Sequence, residues 1–217
     1  MKCSLEELRA QMDLNYWAAA YLARATLDNW LSPDRSKDAK GGYQHPRHFI
    51  MTSSVVAFVA VAGYTPYTVA KAAMRSLGDS LRAEVSMYNG ARLHPASIGP
   101  DTDIKIHTVF GGSIQSPGLE EENRIKHPVT KQLEEGDPIQ SEDEVAETAV
   151  RCLEKGHQLV TTQYLASAMR ASALGGSPRN NVVLDTVLSL ITSIVWLFYQ
   201  PYMDRTVFKY GMKHGMN

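Results

Sequence analysis

His48-Phe49-Ile50-Met51-Thr52-Ser53-Ser54, then Gly63-Tyr64-Thr65-Pro66 and Tyr67-Thr68-Val69-Ala70-Lys71, form the stretch that decides the fold. The first seven residues read as a buried strand ending in two hydroxyls. Residues 55–63 are a short apolar connection closing on glycine, and Pro66 opens a helix with Ala70, Ala73, Leu77 and Leu81 at helical spacing. Strand, turn and helix in this order set polar side chains outside the carboxyl end of a strand, the place where α/β sheets bind ligands.

A Tyr-x-x-x-Lys spacing alone is a weak signal, and its setting is what gives it weight. A phenol titrates near pH 10 and gives up its proton near neutrality only beside a group that stabilises the phenolate. A lysine four residues on projects from the same helix face one turn later, so Lys71 is the expected partner of Tyr67. Ser54 at the strand end is placed to hydrogen-bond a substrate oxygen as charge develops on it. Ser53 is the alternative serine, because neighbouring strand residues point to opposite faces.

Working outward, Ser4-Leu5-Glu6-Glu7 is a capping box for a helix reaching Trp30. Ser32-Pro33 begins a charged, glycine-containing loop that runs to Pro46. The helix at Pro66 is expected to end near Met87. Residues 105–110 alternate as a second strand, and 159–164 read as a third. Ser141-Glu142-Asp143-Glu144 caps a helix between them. Three strands and their helices make one flank of a parallel sheet, an α/β architecture. Residues 113–140, acidic and poor in large apolar side chains, are either a solvated surface loop or a mobile cover over a substrate.

Residues 182–199 are apolar apart from Asp185 and scattered Ser/Thr, and Arg205, Lys209 and Lys213 follow. Eighteen helical residues reach about 27 Å, close to a bilayer core. Trp196, Tyr199 and Tyr202 suit a membrane interface. A buried core helix, an anchor and a re-entrant segment all fit this pattern. Two units are expected, 1–176 and a membrane-associated tail at 177–217.

Composition narrows the function classes. With 44% hydrophobic and 21% charged residues the chain can build a core, and a net charge of −1 with mixed signs argues against a nucleic-acid surface. Cys3 and Cys152 lie far apart without His/Cys ligand spacing, so no metal site is expected and a reducing compartment fits. Glu6, Glu7 and Arg9 interrupt any leader-like apolar run.

The Thr52-Ser53-Ser54 segment, Gly63 to Ala73 and Leu81-Arg82-Ala83-Glu84 resemble the active-site block of the short-chain dehydrogenases/reductases. Within that superfamily the chain is most similar to the fungal 3-ketodihydrosphingosine reductases. Asp13-Leu14-Asn15-Tyr16-Trp17 resembles the helix bearing that group's active-site asparagine, and 109–122 resembles the loop after its next strand. The resemblance implies a partial Rossmann-like parallel sheet and reduction of 3-ketodihydrosphingosine to dihydrosphingosine with NADPH. It makes Tyr67 the general acid and Lys71 its pKa-lowering, ribose-binding partner, with Ser54 orienting the carbonyl and Asn15 holding a water beside Lys71. Tyr67, Lys71 and Gly112 would meet the cofactor.

The resemblance further implies an endoplasmic-reticulum membrane location with the catalytic part facing the cytosol, a long-chain lipid ketone as substrate, and a homo- or heterodimer through helices at 5–30 and 66–87. That superfamily opens with a Gly-x-x-x-Gly-x-Gly turn between strand and helix, which these 217 residues do not contain; Gly111-Gly112 is followed by residues 113–118, read here as a loop. The chain is therefore expected to correspond to the C-terminal part of such an enzyme, with impaired catalysis. The alternatives are a related membrane-bound reductase of a steroid or 3-ketoacyl substrate, and a non-catalytic truncated paralogue that pairs with a full-length subunit.

Overall fold

The structure, a computed structural model, describes residues 3–31, 45–94, 100 and 102–215. Most of the expected loop after Pro33, with Gly41 and Gly42, lies outside the described residues. A long N-terminal helix comes in three pieces: α1 (Leu5–Gln11), a π-helical segment (Met12–Trp17) and α2 (Ala18–Trp30). Ser4 and Glu7 form the capping box, with Ser4 Oγ accepting from Glu7 N at 3.1 Å and Glu7 Oε2 accepting from Ser4 N at 2.7 Å.

β1 (Arg47–Ser54) follows, then a 3₁₀ turn (Val55–Ala57) and α3 (Thr65–Ala91). β2 (Ile104–Gly111) pairs parallel with β1 along its whole length, from Arg47↔Ile104 to Ser54↔Gly111. The turn of the chain between α3 and β2 is held by Asn89, whose amide donates to Ile104 O (2.8 Å) and accepts from Ile104 N (2.9 Å).

Residues 113–140 are more structured than the sequence suggests. β3 (Ser113–Ile114) and β4 (Ile139–Gln140) pair as a separate parallel two-stranded sheet, with α4 (Pro117–Ile125) and α5 (Pro128–Leu133) between them. Ser116 caps α4 and His127 caps α5, and each is followed by a proline suited to the first helical turn. The expected loop after Gly112 thus gives way to helix at Pro117, because the cap and proline outweigh the glycine beside them.

α6 (Glu142–Glu154) leads to β5 (Leu159–Thr161), which pairs parallel with β2. The main sheet order is β1-β2-β5. The third strand is shorter than expected, since Tyr164 already begins α7 (Tyr164–Ser172). α8 (Val182–His214) closes the chain and runs straight through Pro201.

One core cluster joins Leu27, Met51, Met74, Val85, Ile104 and Ile106, sealing α2 and α3 onto β1 and β2. A second, of Phe110, Leu159 and Leu174, sits at the other end of the sheet, with the Phe58 ring tilted against that of Phe110 at 4.4 Å between centres. Between them these clusters fix the end of β1 and the start of α3, which is where the polar residues converge.

Candidate active site

The carboxyl end of β1 brings Ser54 and Tyr67 to one cleft, whose walls include Gly112, Glu122, Asp137, Leu165 and Met169. Ser54 is buried and caps the 3₁₀ turn, accepting from Val56 N at 3.4 Å. Ser53 points the other way and donates to Lys71 O at 3.0 Å, so alternation along the strand selects Ser54 as the cleft serine. Burial holds the Tyr67 phenol above its ordinary value; its hydrogen bond with Ser54 pulls down and the charge of Glu122 pushes up again. The phenol is therefore a proton-bearing group at neutral pH.

Lys71 is buried, with Nζ donating to Thr52 O at 3.1 Å and lying 5.4 Å from the centre of the Tyr67 ring. Desolvation holds its pKa below the ordinary lysine value. Lys71 also borders a second hollow of about 270 Å³ along the outer edge of β1, shared with Asn15, Leu22, Ile50 and Thr52. The four expected residues thus form a row, with Ser54 and Tyr67 in the cleft, Lys71 at the partition and Asn15 in the hollow behind it.

Asn15 owes its position to the π-helical segment. Its Nδ2 donates to Gln11 O (3.0 Å) and to Gln11 Oε1 (2.8 Å), satisfying a backbone carbonyl where the helix is widened. Single-turn π segments commonly accompany functional sites.

Sequence reasoning missed a charged cluster on the opposite wall. The Tyr64 hydroxyl donates to Glu122 Oε1 and lies 3.4 Å from Glu134 Oε2. Lys126 Nζ bridges the two carboxylates at 3.0 and 2.6 Å, and sits 5.5 Å from the centre of the Tyr64 ring. Burial, followed by the two glutamates, drives the Tyr64 phenol far up, so it serves as a fixed donor. Burial alone would lower the Lys126 pKa, but Glu134 and Glu122 outweigh it and hold the ammonium charged. The cluster ties α4 and α5 to the residue three before Tyr67. Gly63, at φ +96°, allows the same approach: a side chain there would collide with Thr130 Oγ1, which donates to Ala62 O at 2.7 Å. The only hint in the sequence was the acidic run at 120–122.

Gly112 sits at the end of the cleft, where a Cβ would come within 2.8 Å of Gln163 Oε1. Among the described residues, no glycine turn links a strand to a helix N-terminus that could cradle a pyrophosphate.

Over 210 residues the chain is 45% identical to the 3-ketodihydrosphingosine reductase ksrA of Aspergillus fumigatus, covering 96% of this chain and 57% of that protein. With the 3-ketodihydrosphingosine reductase gsl-3 of Neurospora crassa it shares 38% identity over 212 residues, 98% of this chain and 55% of that protein. The chain is a relative of the fungal 3-ketodihydrosphingosine reductases. It spans somewhat over half the length of these curated relatives. No protein-family model matches it. A short-chain dehydrogenase from Burkholderia cenocepacia, solved in complex with NADP, superposes with a TM-score of 0.54 at 18% identity, over 80% of this chain and 59% of that one. One from Streptomyces avermitilis gives 0.51 at 22% identity, over 91% and 63%. The fold is that of the short-chain dehydrogenases, with a long apolar C-terminal helix added.

Proposed function

We propose that this chain carries the carbonyl-reducing site of a 3-ketodihydrosphingosine reductase, converting 3-ketodihydrosphingosine to dihydrosphingosine in sphingolipid synthesis at the endoplasmic-reticulum membrane, with the cleft on the cytosolic side. The observation that carries this reading is the convergence of Ser54 and Tyr67 on one cleft with Lys71 behind the phenol, in a chain similar to such reductases over nearly its full length. NADPH supplies the hydride when bound, and Tyr67, Lys71 and Gly112 are the residues here that would meet its ring and ribose.

Tyr67 gives its proton to the ketone oxygen, and burial suits that task by keeping the phenol protonated until the oxygen takes up charge. Ser54 orients that oxygen by a hydrogen bond. Lys71 steadies the phenolate left behind, and Asn15, facing the hollow beside Lys71, holds the water through which the proton is replaced.

A pyrophosphate grip contributes much of a dinucleotide's binding and positions its ring. The 217-residue chain alone is therefore expected to bind NADPH weakly. The test is titration of NADPH fluorescence with this chain in detergent, followed by reduction of 3-ketodihydrosphingosine. Saturable binding that disappears in Lys71→Ala, with turnover falling by about 10²–10⁴ in Tyr67→Phe, supports the reading. Binding unaffected by Lys71→Ala would sink it. A second reading is favoured by the open outer edge of β1, where Ile50 is 47% exposed: pairing with another subunit without catalysis. No NADPH binding together with capture of a full-length reductase subunit would select it.

A further inference from the structure

α8 is apolar and long enough to cross a bilayer, yet it is bound to the body at both ends. Near its start, Asp185 is fully buried and pairs with Arg170 of α7, with oxygens 2.6 and 3.0 Å from the guanidinium nitrogens. Near its end, the Tyr210 ring lies edge-on to His127, 5.7 Å between centres. Thr192 and Met203, between them, are also buried. These positions recur at helical spacing on one stripe, so the helix lies against the domain for about 37 Å.

A helix crossing a membrane would carry Asp185 and Tyr210 to opposite sides of a hydrocarbon layer about 30 Å thick. Because both touch the same body, crossing would drag α5, His127 and the Lys126 cluster into lipid, at a cost no apolar helix offsets. The helix is also inverted in polarity. Its inward stripe holds Asp185 and Thr192, while Val183, Leu190, Ile194, Leu197 and Phe198 face outward and are more than half exposed. Such a face requires an apolar medium rather than water. Arg205, Lys209 and Lys213 in the final turns match anionic headgroups, which favours a lipid surface over a second copy of the chain.

The cleft adjoins the same surface. α7 is shared between them, with Leu165 and Met169 lining the cleft while Arg170 anchors α8. Asp137 of the cleft wall acts electrostatically on Tyr199 of α8, and Tyr164 at the head of α7 is 97% exposed.

We propose that α8 lies in the plane of one membrane leaflet as a monotopic anchor, its Leu190–Ile194–Phe198 face in the acyl-chain boundary, and that the Tyr67 cleft opens at that membrane surface. The cleft part rests on the reductase reading above; the in-plane helix does not.

The test uses the full chain with Cys3→Ser and Cys152→Ser, bound to preformed phosphatidylcholine/phosphatidylserine vesicles. Single cysteines at Arg179→Cys and Lys213→Cys, both exposed positions flanking the apolar run, are treated with a membrane-impermeant maleimide. An in-plane helix labels at both positions without detergent, and Ile194→Glu with Phe198→Glu lowers vesicle binding at least tenfold. Labelling at 213 only after detergent would mean a spanning helix and overturn the proposal. Absence of vesicle binding, with a dimer dissociated by the same two glutamates, would assign the face to a second copy and equally overturn it. Neither readout needs cofactor or ketone, so its failure is separate from failure of the reductase reading.

Discussion

The two longest helices, α3 with 27 residues and α8 with 33, treat their surroundings in opposite ways. α3 turns Ala70, Met74, Gly78 and Val85 onto β1 and β2, and leaves Ser76, Ser80, Glu84 and Ser86 outside. α8 turns Asp185 and Thr192 inward together with Met203, and leaves most of its large apolar side chains outside. Both are one-striped helices lying on the same body. What differs is the medium on the free side, and that medium is what the distribution of polar residues records.

The difference is broken most severely at the ion pair. Arg170 and Asp185 have side chains only 5% and 2% exposed, and Asp185 also accepts from Asn180 N at 2.8 Å. Asp185→Asn would leave the guanidinium buried without a counter-charge, at a cost of about 3–5 kcal/mol. The loss is expected to fall on α8, seen as faster amide exchange over 182–214 with α3 unchanged. Equal acceleration in both helices would mean that α8 is part of the core rather than strapped to it. An Arg170→Met/Asp185→Leu double variant is expected to recover most of the stability.

Acid tests the support of α8 against that of the sheet. On the face of the sheet turned away from α3, His107 Nδ1 lies 2.7 Å from His157 O and so donates, leaving Nε2 to accept from His48 Nδ1 at 2.9 Å. Burial first, and neighbouring positive charge second, lower the pKa of His48; burial also leads the lowering at His107. A neutral pair in the fold favours folding above the unfolded histidine value of about 6.5, and this contribution is lost as pH falls through that value toward the lowered ones. Asp185 resists burial through its bonds with Arg170, which bring its pKa below the ordinary 3.8. Its contribution is complete above that value and is lost only as pH falls further. Melting temperature against pH is therefore expected to decline in two stages, with His107→Leu shrinking the upper stage, to which half-buried His157 also contributes, and Asp185→Asn the lower. A single decline unaffected by His107→Leu would show that the stacked histidines carry no pH-dependent stability.

How much of this was legible depends on how local each cause is. Ser54, Tyr67 and Lys71 lie on consecutive elements, so strand alternation and helical spacing alone bring them together. The parallel sheet was readable for the same reason, since its strands are short apolar runs between capped helices. Asn15 could be named by resemblance, but neither the π segment that positions it nor the bond from its amide to Gln11 is revealed by any periodicity. The Tyr64–Glu122–Lys126–Glu134 cluster joins residues up to 70 apart in sequence and depends on α4 and α5, which an acidic, loop-like composition conceals. In the tail the apolar run was plain, whereas the side to which Asp185 turns was not. Pro201 sits on the exposed side of α8, where its missing N–H leaves the Leu197 carbonyl without an intrahelical donor on the side away from the body.

Glycines give the smallest and most local test of the contrast. Gly78 lies where α3 crosses β2, and a Cβ there would meet Thr108 Oγ1 and come within 3.2 Å of Met51 Cε. Gly78→Ala gains helix propensity but overpacks that crossing, so a net loss of about 1–3 kcal/mol is expected. Around Gly90, in the last turn of α3, and Gly211, in the last turns of α8, no atom of the described residues beyond the helix's own backbone and the adjoining residues comes within 4 Å of where a Cβ would sit. For both, alanine removes only the glycine penalty and is expected to stabilise by up to ~1 kcal/mol. Chemical denaturation of the three single variants reads the signs directly. If Gly211→Ala destabilised while Gly90→Ala did not, a surface would be pressing on the end of α8 that none of the described residues provides.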